Sequence, residues 1–364
     1  MASIQRRPNG KWRARFRDPT GREHARHFTR KVDAQRWLDQ VTADLQTGRY
    51  VDPKSARITV DEWCDRWLEG YRSRRPSTVK TATVHLGQIR AEFGSMRLAA
   101  VRPSHVKAWV SRLLAEGHAR GYVNALHARL AQIMDDAVAD GILAANPCSR
   151  RTSPGPTPSR PYVATTEQVW ALYDAFTDRY QLAVLLGAFA GLRVAEVCGL
   201  RVEDVDFLGR VITPAVQYPA APLKTAMSGE PIPVPRRLIN AIARQVERWP
   251  GPTVLTGPDG GQVNPWVIQH EMRRARAVVP GLPEGFRFHD LRHYYASLLI
   301  ASGADVKVVQ HRLRHASAVT TLDTYGHLWP DTDESTRAAV DRVMAARFED
   351  LADPVRTGGG SRLA

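Results

Sequence analysis

The stretch RLRHASAVTTLDTYGHLWPD runs from Arg312 to Asp331 and places a tyrosine, Tyr325, ten residues after His315 and two before His327. Taken alone, it supports a core aromatic with a hydroxyl to satisfy at least as well as a nucleophile. Arg314, directly before His315, adds a second question. What decides between the two readings is the polar company that Tyr325 keeps in the rest of its domain.

Three other segments of the last half carry polar residues out of keeping with their surroundings. In AGLRVAEVCGL (190–200), Arg193 emerges at the end of a long apolar run, with Glu196 three residues on. An arginine whose stem lies along apolar surface is the plain alternative. In PLKTAMSGEPIPVP (222–235), Lys224 is the only lysine between Lys107 and Lys307, on an expected hairpin with Ser228 and Gly229 near its turn. A solvated hairpin lysine explains it equally well in isolation. In FHDLRHYYASLLI (288–300), His289 and Arg292 are three apart and share a helix face ahead of an apolar run. Asp290 could cap that helix, and Tyr294 and Tyr295 read as packing residues.

Bulk properties narrow the partner. The chain has 364 residues, enough for two or three domains, and 43% hydrophobic residues, enough for packed cores. Its net charge of +14 points to a polyanion, nucleic acid first, although a ribosomal or membrane-surface protein fits charge alone. Residues 1–60 hold 14 Lys and Arg against 6 Asp and Glu, so over half of the surplus lies in the first sixth of the chain. Three scattered cysteines, Cys64, Cys148 and Cys198, with no CxxC pair, argue against a disulfide framework or a zinc site and for a reducing cytosol. The N-terminus lacks the apolar core of a signal peptide. The longest apolar run, LAVLLGAFAGL (182–192), is too short to span a bilayer.

Along the chain, residues 1–56 read as a small separate unit. KWRARFRDPTGREHARHFTR alternates basic and apolar residues around a turn, and helical spacing follows in 31–50. A short basic sheet backed by one helix is expected, with Arg6, Arg7, Lys11, Arg13 and Arg15 as candidate DNA contacts. A solvated basic hairpin is the alternative. Residues 57–150 read as four helices, opened by a capping pattern from Thr59 to Glu62 and punctuated by Gly94, Gly117 and Gly141. Lys80, on the second of these, is a further candidate DNA contact. Residues 151–161 lie in a stretch rich in Pro, Ser, Thr and Arg and read as a linker. Residues 162–348 start helical, pass through a strand-rich patch and return to helices, with an amphipathic segment at 333–351. Residues 349–364 form a tail. No internal repeat is present. The expected fold is multidomain and mainly α: a small N-terminal sheet plus helix, a four-helix unit and a mixed α+β last domain.

Taken in order, AGLRVAEVCGL, the hairpin lysine, HDLRHYYAS and LRHASAVTTLDTYGHL resemble the tyrosine recombinase, or phage integrase, family. The resemblance covers the whole last domain. The four-helix unit is similar to that family's core-type DNA-binding domain, and the basic N-terminal unit to its arm-type DNA-binding domain. The resemblance implies a site of Arg193, Lys224, His289, Arg292, His315 and Tyr325. Tyr325 is then the nucleophile that forms a 3′-phosphotyrosine link, and the two arginines clamp the phosphate. His289 assists as base, Lys224 protonates the leaving 5′-oxygen, and His315 bonds the phosphate or leaving oxygen. One departure stands out: the family usually has Gly where Arg314 stands. A side chain there would crowd a turn of positive φ, or reach a phosphate; the expectation is a DNA-backbone contact near the cut.

The implied function is site-specific recombination that integrates phage or mobile-element DNA into a host chromosome. The implied partner is double-stranded DNA with core-type and arm-type sites, bound by a homotetramer in the bacterial cytoplasm, with no membrane. A DNA-bending host factor and an excisionase are left open. No cofactor and no metal are expected, because two arginines supply the charge that a divalent ion supplies elsewhere. A type IB topoisomerase-like nicking-closing enzyme and a catalytically inactive DNA-binding regulator on the same fold are the competing readings.

Overall fold

A computed structural model describes residues 2–18, 21–46, 57–156, 161–329, 337–338 and 340–345. The chain divides into two compact units, Met1–Pro158 and Ser159–Ala364.

In the first unit, β1 (Ser3–Arg6), β2 (Trp12–Arg17) and β3 (Glu23–Phe28) form an antiparallel sheet in that order, backed by α1 (Lys31–Gln46). Strand alternation turns Ala14 and Phe16 of β2 inward, where they are buried, with Ala14 packing on Ala34 and Leu38 of α1. The same alternation sends Arg13, Arg15 and Arg17 to the open face. By register Arg6 pairs with Trp12 and so lies on the helix side, where its guanidinium stands 5.9 Å from the Trp12 ring. The basic residues therefore do not form one patch.

Four helices follow: α2 (Val60–Tyr71), α3 (Pro76–Phe93), α4 (Pro103–Ala115) and α5 (Arg120–Ala139). The capping box expected at Thr59 is present: Thr59 Oγ1 accepts from the Glu62 N–H, and a Glu62 carboxylate oxygen accepts from the Thr59 N–H. Trp63, Trp67, Leu86, Phe93, Trp109 and Leu130 belong to one core. The two tryptophans bury their rings without orphaning a donor, because Trp63 Nε1 donates to the Ile133 carbonyl at 2.9 Å and Trp67 Nε1 to Asp136 Oδ2 at 2.6 Å.

The start of the expected linker is not free chain. Thr152 is buried with its hydroxyl 2.8 Å from His127 Nε2, and Ser153 Oγ donates to Asn124 Oδ1. Polar side chains that find partners on α5 hold this stretch against the helical core. Residues 157–160 of the linker lie outside the described residues.

The second unit is organised around α7 (Gln181–Ala190), buried almost all round, which packs against α6 (Thr166–Ala175) and α11 (Asp290–Ala301). A short α8 (Val194–Gly199) follows α7 directly. The strand-rich patch resolves into two small sheets rather than one hairpin. One is antiparallel β4 (Val205–Asp206), β5 (Val211–Ile212) and β8 (Ile232–Pro233); the other pairs β6 (Val216–Gln217) with β7 (Ala221–Pro222). Lys224 lies on the connection after β7, ahead of a 3-10 turn at Ala226–Gly229. Proline at 219, 222, 231 and 233 limits the ladder bonds and keeps these strands two residues long.

Helices α9 (Arg236–Arg248) and α10 (Pro265–Val278) complete the main core. Beyond it, α12 (Val306–Arg312), α13 (Ala318–Tyr325) and the far half of α11 build a separate small cluster of Tyr295, Ala296, Ile300, Val309, Leu313 and Tyr325. Of the segment 333–351, only residues 337–338 and 340–345 are described; they are helical and exposed, Val340, Val343 and Met344 included. The tail, 349–364, lies outside the described residues. Among the described residues no helix is long and apolar enough to cross a membrane.

Candidate active site

The site begins where α7 stops. Gly191 ends that helix with φ +63°, a conformation glycine adopts without penalty. A Cβ there would stand 2.7 Å from the Tyr295 ring. This turn puts Arg193 at the N-cap of α8 and Glu196 at its third position. Glu196 accepts from the Arg193 backbone N–H at 3.0 Å and from Arg193 Nη1 at 2.7 Å. The carboxylate thus caps the helix and fixes the guanidinium together.

Arg292, 1% exposed, sits on α11, and its Nη1 donates to the Gly191 carbonyl at 2.5 Å. Its other terminal nitrogen, Nη2, is buried and makes no hydrogen bond with any described residue. Burial, then the like charges of Arg193 and Arg314, lowers its pKa to about 9, so it remains a cation at neutral pH. A buried, charged donor that the protein itself does not satisfy fits an anionic ligand.

Arg314 corrects the expectation of a DNA-backbone contact. It is 1% exposed; Nη2 donates to Glu196 Oε2 at 2.7 Å and Nη1 to the Ser228 carbonyl at 2.6 Å. Its φ is +54°, so the position does require the left-handed backbone that glycine favours, and the side chain turns inward to an ion pair. Burial raises the Glu196 carboxyl, but Arg314 and then Arg193 outweigh it and hold the group below the usual carboxylate range. Ser228 closes the ring, with its Oγ 3.4 Å from Arg193 Nη1.

Tyr325 ends α13, 1% exposed. Its Oη is 2.7 Å from Nδ1 of His293, a residue absent from the expected site. Burial pushes the phenol up to about 12, with Arg292 pulling the other way. His315 stacks parallel to the Tyr325 ring at 6.4 Å, and its Nδ1 is 2.9 Å from Thr321 Oγ1. His289 stands edge to face with His293 at 5.3 Å. Burial and the surrounding cations lower both His289 and His315 to about 4, so both are neutral at pH 7. His289 as a residue nevertheless keeps part of its surface in contact with solvent, although its titrating ring is largely enclosed.

Arg193, His289, Arg292, His315 and Tyr325 are therefore brought into one electrostatic neighbourhood. Lys224 is exposed on its connector, four residues before Ser228, and none of the site's hydrogen bonds described above reaches it. His327 is exposed. Arg15 donates to Ser3 Oγ at 2.8 Å and Arg13 to Glu23 at 3.2 Å, while Arg7 begins the turn before exposed Lys11. Lys80 is exposed on α3. Among the described residues no cluster of three His, Cys, Asp or Glu is placed to hold a metal ion.

The sequence pattern held a signal for His293. It lies four residues after His289, which on a helix places both rings on one face. The neighbouring HDLR motif drew attention to Arg292 instead.

A tyrosine set beside two buried or half-buried arginines and three neutral histidines, on this helical scaffold, defines a tyrosine site-specific recombinase. Comparison with known proteins agrees along the chain. Residues 163–331 match the phage integrase family, residues 2–47 the phage integrase N-terminal domain, and residues 59–114 the phage integrase N-terminal SAM-like domain. The chain belongs to the phage integrase family.

Among its relatives is a prophage phiRv2 integrase of Mycobacterium tuberculosis, 26% identical over 359 residues, covering 92% of this chain and 93% of that protein. The tyrosine recombinase XerC of a Mycobacterium species is 28% identical over 250 residues, covering 65% and 80%. Among solved structures, a lambda integrase dimer bound to a COC′ core site superposes with TM-score 0.63 at 20% identity, covering 90% of this chain and 96% of that one. A Tn1549 transposon integrase in complex with transposon right end DNA gives 0.68 at 20% identity, covering 79% and 100%.

Proposed function

We infer that this recombinase integrates mobile-element DNA by cutting one strand at a time through a 3′-phosphotyrosine link at Tyr325. The observation that carries this reading is Arg292: a buried cation with an unsatisfied donor, close enough to Arg193 and the tyrosine to interact electrostatically with both. In-line attack spreads negative charge over the non-bridging phosphate oxygens. Planar guanidinium forks match that charge, and losing one such donor costs on the order of 100-fold or more in rate. Lys224 is the candidate acid for the leaving 5′-oxygen, carried into place by its connector, and His315 the candidate hydrogen-bond donor to the phosphate. His289, expected as base, is not the ring that meets the tyrosine hydroxyl, and we place it on the phosphate side.

We propose a division into an arm-binding unit (1–56), a core-binding unit (57–150) and a catalytic unit (162–348), a reading supported by separate matches over 2–47, 59–114 and 163–331. Support for a phage-type integrase comes from the N-terminal region, since the phiRv2 relative aligns over 359 residues and the XerC relative over 250. A lambda integrase tetramer is known on a Holliday junction. A homotetramer on DNA in the cytoplasm, served by a DNA-bending host factor or excisionase, is the corresponding proposal here.

The test is a suicide substrate from DNA flanking the gene. Wild type should form a covalent protein–DNA adduct, undiminished in EDTA, and Tyr325→Phe should bind the DNA but form none. Supercoil relaxation without recombinant product on a two-site plasmid would favour the topoisomerase reading, and absence of any wild-type adduct the inactive regulator.

A further inference from the structure

Resting on the cleavage chemistry just inferred, we propose that His293 is the base that receives the Tyr325 proton, with Asp290 holding its tautomer. His293 Nδ1 lies 2.7 Å from Tyr325 Oη, within range for direct transfer. On the other side of the ring, Nε2 lies 3.7 Å from Asp290 Oδ1. Asp290 is itself fixed, since its Oδ2 accepts from the Arg287 backbone N–H at 2.6 Å. A carboxylate in front of Nε2 favours the Nε2–H tautomer, which leaves Nδ1 as acceptor for the phenol. The same carboxylate stabilises the imidazolium once the proton arrives.

The need for a base at this position is large. Burial pushes the phenol up to about 12, so a free phenolate is rare at neutral pH. The groups facing His293 are His289 at the N-cap of α11, Asp290 and Arg292 on α11, Tyr325 on α13 and His315 on the link between α12 and α13. Burial, against Asp290 and with Arg292, holds the imidazole below its ordinary value, so it is neutral and able to accept at pH 7. His289 meets His293 edge to face, and it is His293 that meets the tyrosine hydroxyl.

The step balances as follows. The Oη–H bond breaks and its proton passes to His293 Nδ1; the oxygen's electron pair forms the new bond to phosphorus. The bond from phosphorus to the 5′-oxygen breaks, and that oxygen takes its proton from a separate acid, assigned to Lys224. In rejoining, the 5′-hydroxyl gives its proton back to Lys224 and its oxygen bonds to phosphorus; the bond from phosphorus to Tyr325 Oη breaks, and the departing phenolate recovers its proton from His293.

The experiment measures single-turnover adduct formation on two suicide substrates, one with the ordinary scissile phosphate and one with sulfur at the 5′-bridging position. A thiolate leaves without needing a proton, so the second substrate isolates deprotonation of the tyrosine. His293→Asn keeps an acceptor near Nδ1 but does not take up a proton. The expected result is a fall of roughly 100-fold or more on both substrates at pH 7, and a rate that climbs about tenfold per pH unit where wild type is flat. Lys224→Ala should slow only the oxygen substrate. DNA affinity and the thermal midpoint of His293→Asn are measured in parallel. If that variant unfolds, Asp290→Asn, which leaves the His293–Tyr325 contact in place, should lower the rate on both substrates about tenfold.

A His293→Asn rate within threefold of wild type, or a defect that the sulfur substrate removes, overturns the proposal while the recombinase reading stands. Failure of wild type to form an adduct on either substrate overturns both.

Discussion

At the residue scale, Arg314 shows how a sequence departure can be resolved by geometry. Its backbone adopts φ +54°, which costs a non-glycine residue roughly 1–2 kcal/mol. Its side chain offsets this by pairing with Glu196, a carboxylate only 2% exposed. Removing one partner of a buried pair typically costs about 3–5 kcal/mol, here reduced because Glu196 keeps Arg193. Arg314→Gly should therefore lower unfolding stability by about 2 kcal/mol, after crediting the relieved backbone. Chemical denaturation measures this. Because the side chain is buried, the salt dependence of DNA affinity should stay as in wild type. The histidines give a second expectation. His315 titrates near 4 when folded and near ~6.5 when unfolded, and His293 is shifted the same way. Between those values the unfolded chain binds more protons, so stability is complete above about pH 6.5 and falls as pH drops toward 4. The thermal midpoint should decline from pH 7.5 to pH 5, and less steeply in His315→Gln.

At the element scale, the turn from α7 to α8 carries both arginines of the site: it orients Arg193 directly and accepts the Arg292 hydrogen bond at Gly191. Gly191→Ala adds a left-handed backbone cost of roughly 1–2 kcal/mol and a methyl 2.7 Å from the Tyr295 ring. A loss of about 3 kcal/mol in stability, with a larger loss of adduct formation than of DNA affinity, is expected from denaturation and suicide-substrate assays. Elements such as the Thr59 capping box and the buried run at 182–192 were legible because their signals are local. The two-sheet arrangement around Lys224 was not, since β5 passes over β6 and β7 to pair with β8, a crossing that no local pattern encodes. Of the candidate site, Arg193, His289, Arg292, His315 and Tyr325 were legible as residue types that the fold brings together, while Lys224 stays apart. Which ring meets the Tyr325 hydroxyl depends on how α11 and α13 pack, and that is a tertiary fact.

At the scale of the whole molecule, charge and chemistry are placed at opposite ends of the chain. Over half of the net +14 lies in the first 60 residues, while every site residue lies after Gly191. If the N-terminal sheet holds its own DNA, its contacts should govern affinity and leave cleavage untouched. Arg13 and Arg15 share the open face of β2, and both bond to Glu23, with Lys11 exposed just ahead of them. Each phosphate they neutralise contributes about 0.9 to the slope of log affinity against log salt. Replacing Lys11, Arg13 and Arg15 together by Gln should reduce that slope by roughly 2 to 3 on DNA carrying arm-type sites. On a short core-site suicide substrate, slope and adduct rate should match wild type. The smaller end of the range is favoured, because Glu23 already partly neutralises both arginines. An equal loss on the core-site substrate would mean that the sheet helps to hold the DNA being cut, and the division of labour between the two ends of the chain would have to be abandoned.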